Sequence, residues 1–227
     1  MGASKALLEW HGSTLVRRAV GLVARVVDGP VVVVRSAGQK LPPFPPSVRI
    51  VDDAREGAGP LQGIASGLAA LEGTCDAAFV SSVDMPFLAP EFIDWVIGSL
   101  DADVEIAVPH VGGFRHPLAA CYRTSVLPVA QALLDEGLPK PALLYERCAT
   151  RWLDDDAARQ VDPWFDSLRN INDPADYAAA RAESPPPVFV TRHDHATDVV
   201  EVEAFTLGAA AEAVHLHLDV AAHVVLN

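Results

Sequence analysis

Apolar residues in this chain form two alternating patterns, helically spaced stripes and short unbroken runs. Between Ser13 and Val27 the positions Leu15, Val16, Ala19, Val20, Leu22, Val23 and Val26 recur at helical spacing, with Ser13 as N-cap and Gly29-Pro30 as the break. Four consecutive valines at 31–34 predict a short strand. A proline-rich loop at 41–46 leads to a second strand at 48–51. The glycine-rich turn Glu56-Gly57-Ala58-Gly59-Pro60 introduces a helix over 61–71. A nearly continuous apolar run, Ala77-Ala78-Phe79-Val80-Ser81-Ser82-Val83, then ends in Asp84, and Pro86 prevents the strand from continuing. Further along, the pattern predicts a helix over 90–100, strands over 104–108 and 117–122, a helix over 125–134 and a short helix over 139–147. Strands alternating with helices indicate β–α–β units, so the expected fold class is α/β with a mostly parallel sheet.

The pattern changes at Ser184-Pro185-Pro186-Pro187, a stiff spacer. A hairpin (188–190 and 199–202), an alanine-rich helix near 207–214 and a strand at 223–226 are expected beyond it. Two strands, a helix and a third strand match the opening of a small ubiquitin-like, β-grasp-like module that Asn227 leaves incomplete. The predicted organisation is one domain over 1–183, a linker over 184–187 and the partial module over 188–227.

At 227 residues, half of them hydrophobic, the chain can bury a full core. Its net charge of −13 argues against nucleic acid as a partner, because phosphate backbones need clustered Lys and Arg. No run of eighteen apolar residues and no signal-type N-terminus occurs, so a cytoplasmic enzyme without membrane contact is expected. Cys75, Cys121 and Cys148 are far apart and predict free thiols. The pairs His193/His195 and His215/His217 each share a strand face if extended, but no Cys or Glu constellation accompanies them.

Candidate chemistry lies at element ends. Asp84, expected at the carboxyl end of a central strand, stands where ligand crevices open in α/β sheets, and one carboxylate plus substrate phosphates is a common magnesium site. The same residue also suits a simple turn cap. Asp52 and Asp53 end a strand just before the glycine-rich turn and can accept from the amino and imino edge of a purine, or merely form a turn. Lys5 is suited to neutralising phosphate charge, though a lone lysine is commonly a surface residue. Arg115-His116-Pro117-Leu118 and Asn170-Ile171-Asn172-Asp173-Pro174 are polar clusters at element ends, with Asp173 as a helix N-cap.

In order along 1–182, Met1-Gly2-x-x-Lys5-Ala6-Leu7-Leu8, Gly59-Pro60-Leu61-x-Gly63-Ile64, Val83-Asp84-Met85-Pro86-Phe87, Arg115-His116-Pro117-Leu118 and Asn170-Ile171-Asn172-x-Pro174 resemble the MobA family of molybdenum cofactor guanylyltransferases. The resemblance implies a Rossmann-like three-layer nucleotidyltransferase fold. It also implies transfer of GMP from Mg-GTP to molybdopterin with release of pyrophosphate, and cofactor-accepting enzymes as downstream partners. By position it assigns Asp84 to Mg²⁺ and Lys5 to phosphate. It assigns Asp52 or Asp53 to guanine, and Gly59, Pro60, Leu61 and Gly63 to the loop around the base. Arg115, His116, Pro117, Asn170 and Asn172 fall on the pterin side. The family pattern opens with a strand and a loop of the form Leu-Ala-Gly-Gly-x-Ser-x-Arg directly before its Met-Gly. Here Met1 stands at that point. Two readings follow, a start assigned too late, which is preferred, or a truncated and inactive relative. The C-terminal segment is expected to be similar to part of the sulfur-carrier proteins MoaD and ThiS. The alternatives are a cytidylyltransferase or other nucleotidyltransferase of the same fold, and a noncatalytic pterin-cofactor binding protein.

Overall fold

The computed structural model describes residues 4–55, 57, 59–185, 187–191 and 199–215. The chain divides into two compact units, Met1–Leu8 with Thr14–Asn172, and Glu9–Ser13 with Asp173–Asn227. In chain order the first elements are the two-residue strands Glu9–Trp10 (β1) and Ser13–Thr14 (β2), helix Leu15–Val23 (α1), and strands Val31–Arg35 (β3) and Val48–Asp52 (β4). Helix Pro60–Leu71 (α2), strand Ala77–Ser81 (β5), helix Pro90–Gly98 (α3) and strands Ile106–Val111 (β6), Phe114–Arg115 (β7) and Ala119–Arg123 (β8) follow. Helix Leu127–Asp135 (α4), strand Thr150–Leu153 (β9) and helix Asp155–Arg159 (α5) come next; of these elements β1 and Ser13 of β2 belong to the smaller unit and the rest to the larger.

Strand pairing corrects the expectation of a mostly parallel sheet. β5 pairs β8 antiparallel, β6 pairs both β7 and β8 antiparallel, and within this five-stranded sheet only β6 with β9 is parallel. The reason lies in the connection after β6. Gly112 and Gly113 turn the chain with φ of 61° and 79°, leaving no room for a crossover helix, so β8 must return antiparallel. It inserts between β5 and β6, which are thereby separated. A parallel pair also occurs between β3 and β4, in register Val31 with Val48 through Arg35 with Asp52.

The larger unit has three layers. On one face of the sheet Ile106, Val108, Ala120 and Tyr122 pack with Leu61, Ile64 and Leu68 of α2 and Ala130 and Leu133 of α4. On the other face Ala107, Ala119 and Cys121 pack with Leu22 of α1 and with Phe92, Ile93 and Val96 of α3. Burial on both faces explains why β6 and β8 are apolar at successive positions instead of alternating. Predicted boundaries shift by a few residues. Thr14, extended at φ −121°, caps α1 in place of Ser13 by accepting from the Arg17 N–H. β5 stops at Ser81, and Asp84 lies in the following turn. β9 and α5 carry no signal long enough to predict them.

In the smaller unit Asp173 caps helix Pro174–Arg181 (α6) with a reciprocal capping box to Asp176. Strands Pro187–Thr191 (β10) and Val199–Glu203 (β11) pair antiparallel, and helix Leu207–Ala213 (α7) follows. The expected β-grasp-like character is not what forms. β10 and β11 make a two-stranded sheet that does not curl around a helix, because a β-grasp needs more strands than the described residues supply. The strand expected at 223–226 lies outside the described residues. Among the described residues no helix is long and apolar enough to cross a membrane.

Candidate functional site

Lys5 and Asp84, far apart in sequence, meet beyond the C-terminal end of β5. The Lys5 ammonium donates to Asp84 Oδ2 at 3.1 Å and to the Ile171 carbonyl at 2.8 Å. The Ser82 hydroxyl donates to Asp84 Oδ1 at 2.5 Å. Local structure explains the position of the acid. Ser82 N–H still pairs with the Leu118 carbonyl, after which the chain turns, and the Asp84 carbonyl accepts from the Ile171 N–H at 2.8 Å. The turn is held further on by Arg18 of α1, whose Nε donates to the Pro86 carbonyl, and by Arg169, whose guanidinium lies 4.3 Å from the Phe87 ring centre. Burial lowers the pKa of Arg18, and the charge of Arg25 adds to the effect. The side chains of Lys5 and Asp84 remain 31% and 20% exposed, so the pair stays open to a ligand.

The glycine-rich turn joins β4 to α2. Gly59 caps α2 at φ +78°, a left-handed conformation that favours glycine, and Pro60 opens the helix. The two candidate acids separate here. Asp52 pairs with Arg35 at 2.7 Å and is largely exposed, whereas Asp53 accepts from the Ser66 hydroxyl of α2 at 2.8 Å. A cavity of about 730 Å³ is lined by Asp53, Pro60 and Gly63, and by Ala6, Ser82 and Val83, the chain neighbours of Lys5 and Asp84. Leu61 is fully buried and serves the core.

Arg115 lies apart from this cavity, its guanidinium 5.1 Å from the Trp152 ring centre and 5.9 Å from that of Tyr145. The His116 ring contacts the Val111 carbonyl, and burial lowers its pKa below the ordinary 6.5. The Pro117 carbonyl accepts from the buried Tyr122 hydroxyl at 2.8 Å. Asn170 and Asn172 are exposed on either side of buried Ile171 and so flank Lys5. Sequence reasoning missed Ser82, which lay two residues before Asp84, and the Ile171 carbonyl, which no side-chain pattern announces. It also missed the aromatic support of Arg115 by Tyr145 and Trp152.

A hard carboxylate, partly exposed and beside an ammonium, fits a magnesium ion that takes its remaining ligands from phosphate and water. Among the described residues there is no group of three or more His, Cys, Asp or Glu able to hold a metal. Met1, Gly2, Glu56, Ala58, His193, His195 and His217 lie outside the described residues.

Comparison with known proteins gives a consistent lineage. The chain is 36% identical over 183 residues to a probable molybdenum cofactor guanylyltransferase of Mycobacterium ulcerans, covering 79% of this chain and 86% of that protein. A protein of the same description from Bacillus cytotoxicus is 28% identical over 179 residues, covering 78% and 87%. The fold is similar to the crystal structure of molybdopterin-guanine dinucleotide biosynthesis protein A from Archaeoglobus fulgidus, with TM-score 0.64, 21% identity and coverage of 79% and 90%. It is also similar to 2-C-methyl-D-erythritol 4-phosphate cytidylyltransferase from Thermus thermophilus, with TM-score 0.59, 19% identity and coverage of 78% and 92%. None of these matches supports a sulfur-carrier-like C-terminal segment. Residues 1–152 match the family model described as the MobA-like NTP transferase domain, and the chain belongs to that family of nucleotidyltransferases.

Proposed function

We propose that this protein transfers GMP from Mg-GTP to the phosphate of molybdopterin, forming the dinucleotide and releasing pyrophosphate. The observation that carries the reading is the contact of Lys5 with Asp84 beyond the end of β5, next in the chain to Ala6 and Val83 of the cavity that Asp53 and Pro60 also line. The names of the relatives, which match over most of their length, support the guanine nucleotide and the pterin.

An acceptor phosphate oxygen attacks the α-phosphorus in line, a new P–O bond forms, and the bond to the β-phosphate oxygen breaks with its electron pair leaving on pyrophosphate. This needs no protein nucleophile, only positioning and charge stabilisation. Lys5 carries three donors, of which Asp84 and the Ile171 carbonyl use two, leaving one for a phosphate oxygen. Asp84, oriented by Lys5 and Ser82, is the residue that would hold Mg²⁺, which when bound offsets charge on the triphosphate. Asp53 accepts from the guanine edge, with Pro60 and Gly63 beside the base. Arg115, His116, Pro117, Asn170 and Asn172 form the side that receives the pterin.

The test is incubation with Mg-GTP and molybdopterin while following pyrophosphate and the dinucleotide product. Metal-dependent release with GTP and little with CTP is expected. Faster turnover with CTP would make it a cytidylyltransferase, and pterin binding without pyrophosphate release would make it a binding protein.

A further inference from the structure

Arg115 is held by rings and by no oxygen atom. Arg35, Arg55, Arg147 and Arg151 each pair with a carboxylate. The exposed Arg115 instead places its guanidinium over two aromatic rings, 5.1 Å from the centre of Trp152 and 5.9 Å from that of Tyr145, and among the described residues no carboxylate or carbonyl accepts from it. A guanidinium lying over a ring uses its face and keeps its in-plane N–H groups for another acceptor.

The rings are themselves braced. Trp152 stands edge to face with Tyr145 at 5.1 Å and 75°, and with His110 at 5.8 Å and 65°. Strand register brings the group together. His110 of β6 is opposite Arg115 of β7, and Val108 of β6 is opposite Trp152 of β9, so these side chains share one face of the sheet. Tyr145 arrives from the 3₁₀ turn Pro141–Glu146. Trp152 remains 42% exposed, which leaves the assembly within reach of a ligand.

The sheet also sets how far this assembly lies from Asp84. β8 is antiparallel to both β5 and β6, and β9 is parallel to β6, so β5, β6 and β9 all finish at the same end. β8 and β9 occupy opposite edges of β6, since Ile106 and Ala107 pair with both. Asp84 follows β5 and Trp152 lies near the end of β9, so the two are separated by three strand spacings, on the order of 14 Å. A guanidinium over Trp152 is too remote to touch a phosphate held by Lys5 and Asp84. The separation is comparable with the length of a fused-ring pterin bearing a phosphate arm.

We propose that Trp152 and Tyr145 are positioning residues that hold the Arg115 guanidinium for the ring end of the acceptor, where its N–H groups donate to the carbonyl and nitrogen edge of a pterin. The proposal rests on the guanylyl-transfer reading for the identity of the acceptor, and it adds two residues and the end of the acceptor they serve. A planar fork suits neighbouring acceptors on a flat heterocycle, as it does on the edge of guanine. Rings that restrict the fork beforehand reduce the side-chain freedom lost on binding.

The test is calorimetric titration with free pterin, which has the ring and no phosphate, and separately with Mg-GTP. Arg115→Met is expected to weaken pterin binding about ten-fold or more, and Trp152→Leu about five-fold, the scale of a lost cation–ring contact. Trp152→Phe, which keeps a ring, should restore most of the loss. Arg115→Met combined with Trp152→Leu should bind no more weakly than Arg115→Met alone, because Trp152 acts through Arg115. Affinity for Mg-GTP should stay level throughout. Thermal unfolding checks each variant, and Tyr145→Leu against Tyr145→Phe gives the same comparison from the second ring. Equal pterin affinity in the parent and Trp152→Leu overturns the proposal and leaves the guanylyl-transfer reading standing. Losses that add in the double variant also overturn it, since Trp152 would then touch the ligand itself. A parent that binds no free pterin overturns it as well, and the transfer assay, which does not depend on this ring contact, then decides the guanylyl-transfer reading.

Discussion

Ile171 reaches Asp84 through its backbone, its N–H donating to the Asp84 carbonyl at 2.8 Å while its own carbonyl accepts from Lys5. One peptide segment therefore fixes both members of the candidate pair, and it does so without a side-chain functional group. The Asn170-Ile171-Asn172 motif has its central residue buried for packing and its flanking amides exposed beside the pair.

Because those tethers are main-chain bonds, Asp84→Ala is expected to leave the fold in place. Guanylyl transfer should fall by at least about 10²–10³-fold, the scale of losing one preorganised electrostatic group. Pyrophosphate release and thermal unfolding check the two halves, and near-wild-type transfer would remove Asp84 from the site.

Lys5→Met keeps the stem and removes the charge. Affinity for GTP is expected to drop about ten-fold or more, with a weaker dependence on salt, as follows when a phosphate-facing cation is lost. Calorimetric titration at two ionic strengths measures both, and an unchanged salt slope would argue against a phosphate role.

Asp53 and Asp52 should behave differently despite being adjacent. Asp53 faces Ser66 and the cavity, whereas Asp52 is committed to Arg35. Asp53→Asn is expected to weaken GTP binding by roughly 10–100-fold and to narrow the preference for GTP over ITP, which lacks the exocyclic amine. Asp52→Asn should do neither. The reverse outcome would move the guanine contact to Asp52.

Burial pushes the Cys121 thiol from its ordinary 9.0 up to about 12. The unfolded chain ionises this group first, so its stabilising contribution is complete below pH 9.0 and declines as pH rises toward about 12. The loss approaches about 1.4 kcal/mol per pH unit well above the unfolded value. Urea unfolding between pH 8 and 10.5 should show a shallower alkaline decline in Cys121→Ala than in the parent. Parallel curves would mean the thiol is not shielded.

Several features were legible because their cause is local. The valine run became β3, the strand before Asp84 became β5, and Gly59-Pro60 marked the start of α2, since strand runs and helix starts depend on residues within a few positions. The direction of β8 was not legible in the same way. An apolar run is identical whether its neighbour is parallel or antiparallel, and only the tight Gly112-Gly113 turn decides between them. The β-grasp-like expectation failed for a related reason. A strand–strand–helix order is shared by many small modules, and curvature depends on partners that order does not specify.

By itself, the sequence determined an α/β chain of nucleotidyltransferase lineage and the residue types available for binding a nucleotide. These follow from periodicity, turn chemistry and short motifs. Tertiary structure decided which of these residues meet. It joined Lys5 to Asp84 and gave Asp53 and Asp52 different partners, Ser66 and Arg35. Such relations arise from backbone hydrogen bonds and layer packing between segments remote in the chain, and a one-dimensional pattern carries no information about which segments meet.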